Sequence, residues 1–195
     1  GYEDIGVIRP VANSTIVEAF DPVQLRKMIP ALLDVGGPVY LRYYRGVMPE
    51  YYPADYKYQL GKADTLREGQ DITLISSGLM LETALLAADI LAERGISARV
   101  LNMHTIKPID RDAIVRAAKE THGIVTLENH TIIGGLGSAV AEVLSEESPA
   151  LLRRVGIRDR FGEVGNMAYL RKCLGIDTEN VVDAAMQLIK KREEM

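Results

Sequence analysis

Cysteine, positive charge and long apolar runs are all scarce in this chain, and each scarcity excludes a class of protein. Cys173 is the only cysteine, so no disulfide can form within the chain, which favours a reducing compartment. The net charge of −4 offers no basic surface, so we expect no nucleic-acid partner. No apolar run approaches the roughly 20 residues that a membrane span needs. We therefore expect a cytoplasmic protein with no membrane partner.

Metal-binding and nucleophile motifs are missing as well. No spacing of His, Cys, Asp and Glu matches a zinc site, so we expect no metal bound by this chain. No Gly-x-Ser-x-Gly or Cys–His arrangement indicates a covalent nucleophile. The first residues, Gly1-Tyr-Glu-Asp, are polar and acidic, which predicts no signal peptide. No methionine precedes them, which favours a fragment or a processed chain.

What the chain does contain is a regular alternation of strand and helix patterns. Apolar residues make up 47% of its 195 residues, enough for the core of one large domain or one and a half. Asp21 followed by Pro22 predicts a helix start, as does Asp110, and Pro30 is expected to kink the first of these helices. Short connections and apolar strands predict a mostly parallel sheet covered on both faces, an α/β fold. Strands are predicted at 14–19, 38–42, 71–76, 98–103, 124–127 and 152–157, and helices at 22–33, 81–91, 110–122, 138–144, 169–174 and 180–191.

The alternation is interrupted between residues 46 and 70. This segment shows no helical or strand period and contains several prolines and lysines. It predicts a linker whose tyrosines anchor it on a neighbouring surface. We place a domain boundary near residue 62, which divides the chain into regions 1–62 and 63–195. The tyrosines are Tyr51, Tyr52, Tyr56 and Tyr58.

A glycine-rich bend follows the strand predicted at 124–127. Gly134, Gly135, Gly137 and Ser138 precede a helix of small residues. Exposed N–H groups at such a helix start can hold an anion, or the glycines can allow a closely packed neighbour or a subunit contact. The spacing does not reproduce Gly-x-Gly-x-x-Gly, so both interpretations stay open.

Arg42 and Arg45 leave the end of the strand predicted at 38–42. Ligands of parallel sheets bind outside the carboxyl ends of the strands, where guanidinium groups can hold a phosphate. The alternative is a surface pair stacked on Tyr43 and Tyr44. The sequence alone does not decide between them.

The histidines and one further loop offer weaker candidates. His104 directly follows a strand and could be an acid or base, or could bond a loop carbonyl. His130 could pair with Glu128 if residues 128–130 stay extended, although the predicted bend would break that pairing. The loop Phe161-Gly-Glu-Val-Gly165 either covers a site or is an exposed turn.

Together these segments resemble the transketolase family, in particular the C-terminal half of its split form. The matching segments follow one another in the family's order over almost the whole chain. They are Val11-Ala-Asn-Ser-Thr-Ile-Val-Glu-Ala-Phe-Asp-Pro22, Gly37-Pro-Val-Tyr-Leu-Arg-Tyr-Tyr-Arg-Gly46, Asn102-Met-His-Thr-Ile-Lys-Pro-Ile-Asp110, Glu128 to Ser138, and Phe161-Gly-Glu163.

The resemblance implies a fold and an activity. Residues 1–62 would be the end of a pyrimidine-binding domain, a βαβ segment with a linker. Residues 63–195 would be a mostly parallel, three-layer α/β/α domain. The enzyme would use thiamin diphosphate to move a two-carbon ketol unit between sugar phosphates. Arg45 would bind substrate phosphate, with Arg42 as the second candidate, and no residue is carried over as catalytic.

The resemblance also implies what this chain does not supply. The diphosphate- and Mg²⁺-binding domain, the glutamate that activates the cofactor and a substrate histidine all belong upstream of the matched region. We therefore expect the complete enzyme to need thiamin diphosphate, Mg²⁺ and the missing N-terminal domain or subunit, and to be a homodimer. Alone, the chain is expected to bind no cofactor tightly and to be inactive.

Other functions compete with this one. Within the same fold, the chain could belong to the β subunit of a 2-oxo-acid dehydrogenase or to deoxyxylulose-phosphate synthase. Arg45 favours phosphosugars over a simple oxo-acid, because a phosphate dianion needs a fixed cation. Outside this class, the chain could be a stand-alone anion- or nucleotide-binding module that uses Gly134 to Ser138. It could also be a scaffold that docks another chain through Tyr51 to Tyr58.

Overall fold

Two β-sheets organise the molecule, which a computed structural model describes over residues 1–194. The strands are β1 Thr15–Glu18, β2 Val39–Arg42, β3 Asp64–Arg67, β4 Ile72–Ser76, β5 Ala98–Asn102, β6 Thr105–Lys107, β7 Ile124–Thr131 and β8 Leu152–Ile157. The helices are α1 Asp4–Ile8, α2 Pro22–Leu33, α3 Met80–Glu93, α4 Arg111–Glu120, α5 Leu136–Glu147, α6 Met167–Cys173 and α7 Thr178–Glu193. No helix in this part of the chain is both long and apolar enough to cross a membrane.

The larger sheet has five strands in the order β3-β5-β4-β7-β8. Its inner pairs are parallel, and β3 alone runs antiparallel on its edge. Helices cover both faces: Leu74 of β4 packs in a core with α3 and α7, whereas its neighbour Ile75 packs with α4 and α5. Successive side chains of a strand point to opposite faces, so one buried strand serves two cores. The predicted mostly parallel α/β sheet with helices on both faces is confirmed.

The smaller sheet has three strands in the order β2-β1-β6. β1 and β2 are parallel, and β6 pairs antiparallel with β1. α2 covers this sheet through Met28 and Leu32, which pack against Val17 of β1. Because β6 comes from beyond residue 62, this sheet joins the two predicted regions. The domain division itself stays a prediction.

Helix starts follow the predicted side-chain caps. Asp21 accepts a hydrogen bond from the Gln24 N–H at 2.6 Å, and Asp110 accepts one from the Ala113 N–H at 3.1 Å. α2 continues through Pro30 to Leu33. The proline lies in the last turn of the helix and removes only its own N–H donor.

Four features differ from the predictions. α1, β3 and β6 were not predicted, because each is only three to five residues long and depends on partners distant in sequence. β7 was predicted to end at residue 127 but extends to Thr131, where it pairs with Ile157 after a register irregularity. Residues 128–130 are therefore extended, which is the alternative that brings Glu128 and His130 to the same side of the strand. This extension carries Glu128 and His130, two side chains described below with the candidate site.

Candidate functional site

A pocket of about 320 Å³ lies where several parallel strands end. Glu18 and Arg42 end β1 and β2, and Leu79 follows β4 by three residues. Asn129 comes from the extended end of β7, and Asp4 comes from α1. We call this cavity the strand-end pocket; its lining is Gly1, Asp4, Glu18, residues 40–45, Leu79 and Asn129. The carboxyl edge of an α/β sheet is the usual place for a ligand.

Arg42 is fixed in the wall of this pocket by two carboxylates. Its Nη1 lies 2.6 Å from Glu18 Oε1, and its Nε lies 3.0 Å from Asp4 Oδ2. Its Nη2 donates to the carbonyl of Asn129 at 2.8 Å. Burial opposes the charge, but Glu18 and Asp4 outweigh it and raise the pKa of Arg42. The positive charge of Arg42 is therefore already balanced inside the protein.

Glu18 is almost fully buried, and its second oxygen has a partner of its own. The Ser77 hydroxyl donates to Glu18 Oε2 at 2.5 Å. Gly78, with a φ of +51°, lies so close that a Cβ there would stand 2.5 Å from the Glu18 carboxyl carbon. Both acceptor oxygens are thus satisfied, and the carboxylate is held against the end of β4.

Asp4 joins the short helix α1 to the pocket wall. The Tyr40 hydroxyl donates to Asp4 Oδ2 at 2.7 Å, beside the Arg42 contact. Burial alone would raise the pKa of Asp4, but the Tyr40 hydroxyl and Arg42 outweigh it and lower that pKa. Asp4 Oδ1 is buried without a hydrogen-bond partner among residues 1–194 and lies 3.8 Å from His130 Nε2.

Arg45 differs from Arg42 in its exposure to solvent and in its lack of a carboxylate partner. Its side chain is exposed, and it forms no ion pair with a carboxylate in the described part of the chain. It lines the same strand-end pocket, next to the exposed rings of Tyr43 and Tyr44. The structure thus brings the two predicted arginines together and leaves only Arg45 with an uncompensated charge.

The glycine-rich bend is occupied by a carboxyl group of the protein itself. The N–H groups of Leu136 and Gly137, at the start of α5, donate to the two oxygens of Glu128 at 2.7 and 3.0 Å. Burial raises the pKa of Glu128 to about 7, and these two bonds oppose that rise. A Cβ on Gly135 would collide with the Glu128 carboxylate. An external anion would have to displace Glu128 to reach these N–H groups.

The remaining residues of the bend are also engaged. Ser138 Oγ accepts a hydrogen bond from the Gly134 N–H at 2.9 Å and donates to the Ile132 carbonyl at 3.0 Å. Gly134 has a φ of +78° and packs against Gly6 of α1. The choice between an anion site and an interface stays a prediction, but the local bonds account for all four predicted residues.

His130 connects β7 to α1. Its Nε2 accepts a hydrogen bond from the Gly6 N–H at 3.2 Å, and its Nδ1–H donates to the Thr131 carbonyl at 2.6 Å. A ring that accepts at one nitrogen and donates at the other is neutral. The Glu128 carboxylate is 3.7 Å from His130 Nδ1, so the two side chains are neighbours without a hydrogen bond.

A second polar cluster anchors the linker through two of the tyrosines predicted for that role, on partners that the sequence did not reveal. Asp64 Oδ2 accepts hydrogen bonds from the Tyr52 and Tyr56 hydroxyls at 2.7 and 2.6 Å. The amide of Asn102 donates to the Tyr52 oxygen at 2.9 Å. Burial, together with Asp64, raises the pKa of both tyrosines. Tyr52 and Tyr56 therefore fasten the linker to Asp64 and Asn102 of the same chain.

Two other predicted candidates lie outside the strand-end pocket. His104 is fully buried, its Nδ1 is 3.0 Å from the Thr105 hydroxyl, and burial lowers its pKa to about 4. Phe161 is 95% exposed and borders a separate groove beside Tyr2. The charged pocket residues that sequence analysis missed are Asp4 and Glu18. Glu18 had one signal, a charge at the end of an apolar strand.

Comparisons with known proteins agree with this architecture. The family described as "Transketolase, C-terminal domain" matches residues 61–181. The chain is 45% identical over 190 residues to the 6-deoxy-6-sulfo-D-fructose transketolase subunit SqwH of Clostridium sp. strain MSTE9, covering 97% of this chain and 59% of that protein. It is 41% identical over 189 residues to an apulose-4-phosphate transketolase subunit of Phocaeicola vulgatus, covering 96% of this chain and 60% of that protein.

A solved structure shows the same fold. It is described as a split gene transketolase, inactive beta4 tetramer, and superposes with a TM-score of 0.92 at 39% sequence identity. The match covers 97% of this chain and 62% of that one. The chain thus spans about 60% of the length of the curated relatives it matches.

Proposed function

The chain belongs to the transketolase family, and on that premise we propose that it is the C-terminal portion of an enzyme that transfers a two-carbon ketol unit between sugar phosphates. In this proposal the enzyme is a cytoplasmic transferase that depends on thiamin diphosphate and Mg²⁺. The chain supplies one wall of the active site, the strand-end pocket, and the rest comes from polypeptide outside this sequence.

The exposed, unpaired Arg45 is the observation that carries the proposal. Arg42, Glu18 and Asp4 form a closed ion-pair set, in which two carboxylates more than balance the charge of Arg42. A ligand that enters the strand-end pocket therefore meets Arg45 as the available cation of its lining. A guanidinium group binds phosphate through charge-assisted, often bidentate hydrogen bonds. We assign Arg45 to the substrate phosphate and Arg42 to the support of the pocket wall.

The side chains around the pocket do not fit a Mg²⁺ site. Glu18 and Asp4 already bond Arg42, with Ser77 and Tyr40 as further donors. Mg²⁺ takes oxygen ligands in near-octahedral geometry, and no group of three His, Cys, Asp or Glu within residues 1–194 is placed to hold a metal. We therefore assign the cofactor's diphosphate and Mg²⁺ to polypeptide outside this sequence.

The proposal needs a partner. The two relatives are named as transketolase subunits, and the neighbouring structure is a tetramer of β chains described as inactive. We propose that the N-terminal diphosphate-binding domain or subunit completes this chain, that the complete enzyme is a homodimer of such units, and that the chain alone is inactive.

Substitution of Arg45 tests the assignment in the complete enzyme. Arg45→Gln removes the cation and keeps much of the length of the side chain. We expect KM for the phosphorylated sugar to rise about 10- to 100-fold, the loss of charge-assisted hydrogen bonds of roughly 1.5–3 kcal/mol, with a smaller change in kcat. The measurement is steady-state kinetics with a phosphorylated donor and the same donor without its phosphate.

Arg116→Gln is the matched control, because Arg116 is an exposed arginine on α4 outside the pocket lining. It should leave both constants unchanged. Equal KM values for wild type and Arg45→Gln would contradict the assignment of Arg45. Turnover of a 2-oxo-acid donor in preference to a ketose would replace ketol transfer by the oxo-acid chemistry of a related family.

A further inference from the structure

His130 is a buried, titratable side chain that the proposed function does not use. It is 0% exposed, yet it lies beside both α1 and the end of β2 that forms the pocket wall. Two hydrogen bonds join this end of β7 to α1 and to the residues just before it. The Gly6 N–H donates to His130 Nε2, and the Thr131 N–H donates to the Tyr2 carbonyl at 2.7 Å.

α1 in turn supplies the carboxylate that orients Arg42. Asp4 Oδ2 holds the Arg42 Nε, and the Asn129 carbonyl of β7 holds its Nη2. The helix has only five residues and buries only Ile5, so its own packing fixes it weakly. The bond from Gly6 to His130 therefore contributes to the position of Asp4, together with the Thr131–Tyr2 bond and the bond from Arg9 Nη1 to the Gly134 carbonyl at 3.0 Å.

We propose that His130 is a positioning residue for the strand-end pocket: it holds α1 in place, so that Asp4 fixes Arg42 and the pocket keeps the shape that places substrate against Arg45. This inference rests on the proposed function of the pocket. His130 acts through α1 and Asp4 and touches no reacting atom. A residue of the second predicted region thus controls a pocket built largely by the first.

The protonation state of His130 matters for this role. Neutral His130 accepts the Gly6 N–H, whereas an imidazolium has only donors. A protonated ring would instead attract Asp4 Oδ1, the oxygen without a hydrogen bond in the described chain, and compete with Arg42 for that carboxylate. The charged groups that face the ring are Asp4 from α1, Glu128 from β7 and Arg42 from β2.

The surroundings keep the ring neutral in the folded protein. Burial is the largest influence and lowers the pKa of His130; its bond to Thr131 and the charge of Asp4 oppose this in part. The proposal therefore predicts a pocket that loosens only in acid, below the range near pH 6.5 in which a free histidine titrates.

Two substitutions separate the bonds of the ring. His130→Gln can place an acceptor where Nε2 now receives the Gly6 N–H, whereas His130→Asn can keep only the donor to the Thr131 carbonyl. In the complete enzyme we expect His130→Asn to raise KM for the phosphorylated sugar roughly three- to thirtyfold, and His130→Gln to stay near wild type. At pH values well below about 6.5 the wild-type KM should rise more steeply than that of His130→Gln, because the substrate phosphate titrates at about pH 6 in both enzymes and only the wild type also protonates His130.

A double-mutant cycle with Asp4→Asn separates positioning from simple stability. If His130 acts through Asp4, His130→Asn should add little to the KM of the Asp4→Asn enzyme. A lower thermal midpoint with unchanged KM for His130→Asn, or fully additive KM effects, would overturn the inference. Failure of the Arg45→Gln test with a normal His130 cycle would instead reject the phosphate assignment, so the two outcomes are distinguishable.

Discussion

At the scale of single residues, the absence of a side chain at position 135 leaves room for a buried carboxylate. Gly135 has an ordinary backbone conformation, with a φ of −84°, so its glycine is needed for space and not for flexibility. Gly135→Ala should push Glu128 off the α5 N–H groups. We expect the free energy of unfolding to fall by about 2–4 kcal/mol, from overpacking and from unsatisfied buried donors. Urea denaturation measures it.

Gly36→Ala is the control for that substitution. A Cβ at Gly36 would meet no atom within 4 Å, so the change should be neutral or slightly stabilising. An equal loss of stability in both variants would show that the Glu128 contact is unimportant.

His104 makes the stability of the fold depend on pH. Burial lowers its pKa to about 4, whereas an unfolded histidine titrates near 6.5. Between these values the unfolded chain binds a proton at His104 that the folded chain does not, so the contribution of His104 to stability falls by on the order of 3 kcal/mol as the pH falls from 6.5 to 4. The raised pKa of Glu128 acts in the opposite direction. His104→Asn should reduce the difference between urea midpoints at pH 7 and pH 5. An unchanged difference would assign the acid sensitivity to other groups.

At the scale of elements, one carboxylate both starts α2 and fastens the linker. Asp21 Oδ1 accepts the Gln24 N–H, and Oδ2 accepts the N–H groups of Tyr51 and Tyr52 at 2.6 and 2.8 Å. Asp21→Ala should therefore cost more than an ordinary helix cap, about 3 kcal/mol against about 1. The control is Asp177→Ala, which removes the cap of α7. Chemical denaturation measures the free energy of unfolding of both variants. Equal costs would contradict the second role.

The sequence predicted elements that carry their own local signals and missed those that depend on distant partners. Asp21 and Asp110 predicted helix starts because the side chain of a cap bonds an N–H only three residues further along the chain. The three residues of β6 are a strand only because β1 lies beside them. The site follows the same rule. Arg45 stood out in a strand-end motif, whereas the pairing of Arg42 with Glu18 joins residues 24 positions apart.

At the scale of the whole molecule, the chain spans about 60% of the length of two of its relatives, and we propose that it is one part of a larger catalyst. The carboxylates at its pocket already bond Arg42, and no group of three His, Cys, Asp or Glu in residues 1–194 is placed to hold a metal ion. Isothermal titration calorimetry of the chain with thiamin diphosphate and Mg²⁺ should therefore detect no micromolar binding. Addition of the complementary N-terminal polypeptide should restore binding and turnover. Micromolar binding by the chain alone would contradict the assignment of the cofactor to that partner.

The antiparallel pairing of β6 with β1 has a consequence for how the chain responds to cutting. A protease that cleaves between Tyr44 and Met48 cuts the backbone after β2. We expect β1 of the amino-terminal piece to stay paired with β6 of the carboxyl-terminal piece. Such a nick would yield two bands under denaturing conditions and a single particle in native buffer. The pairing of β1 with β6 would therefore hold the two pieces together without the peptide bond that was cut.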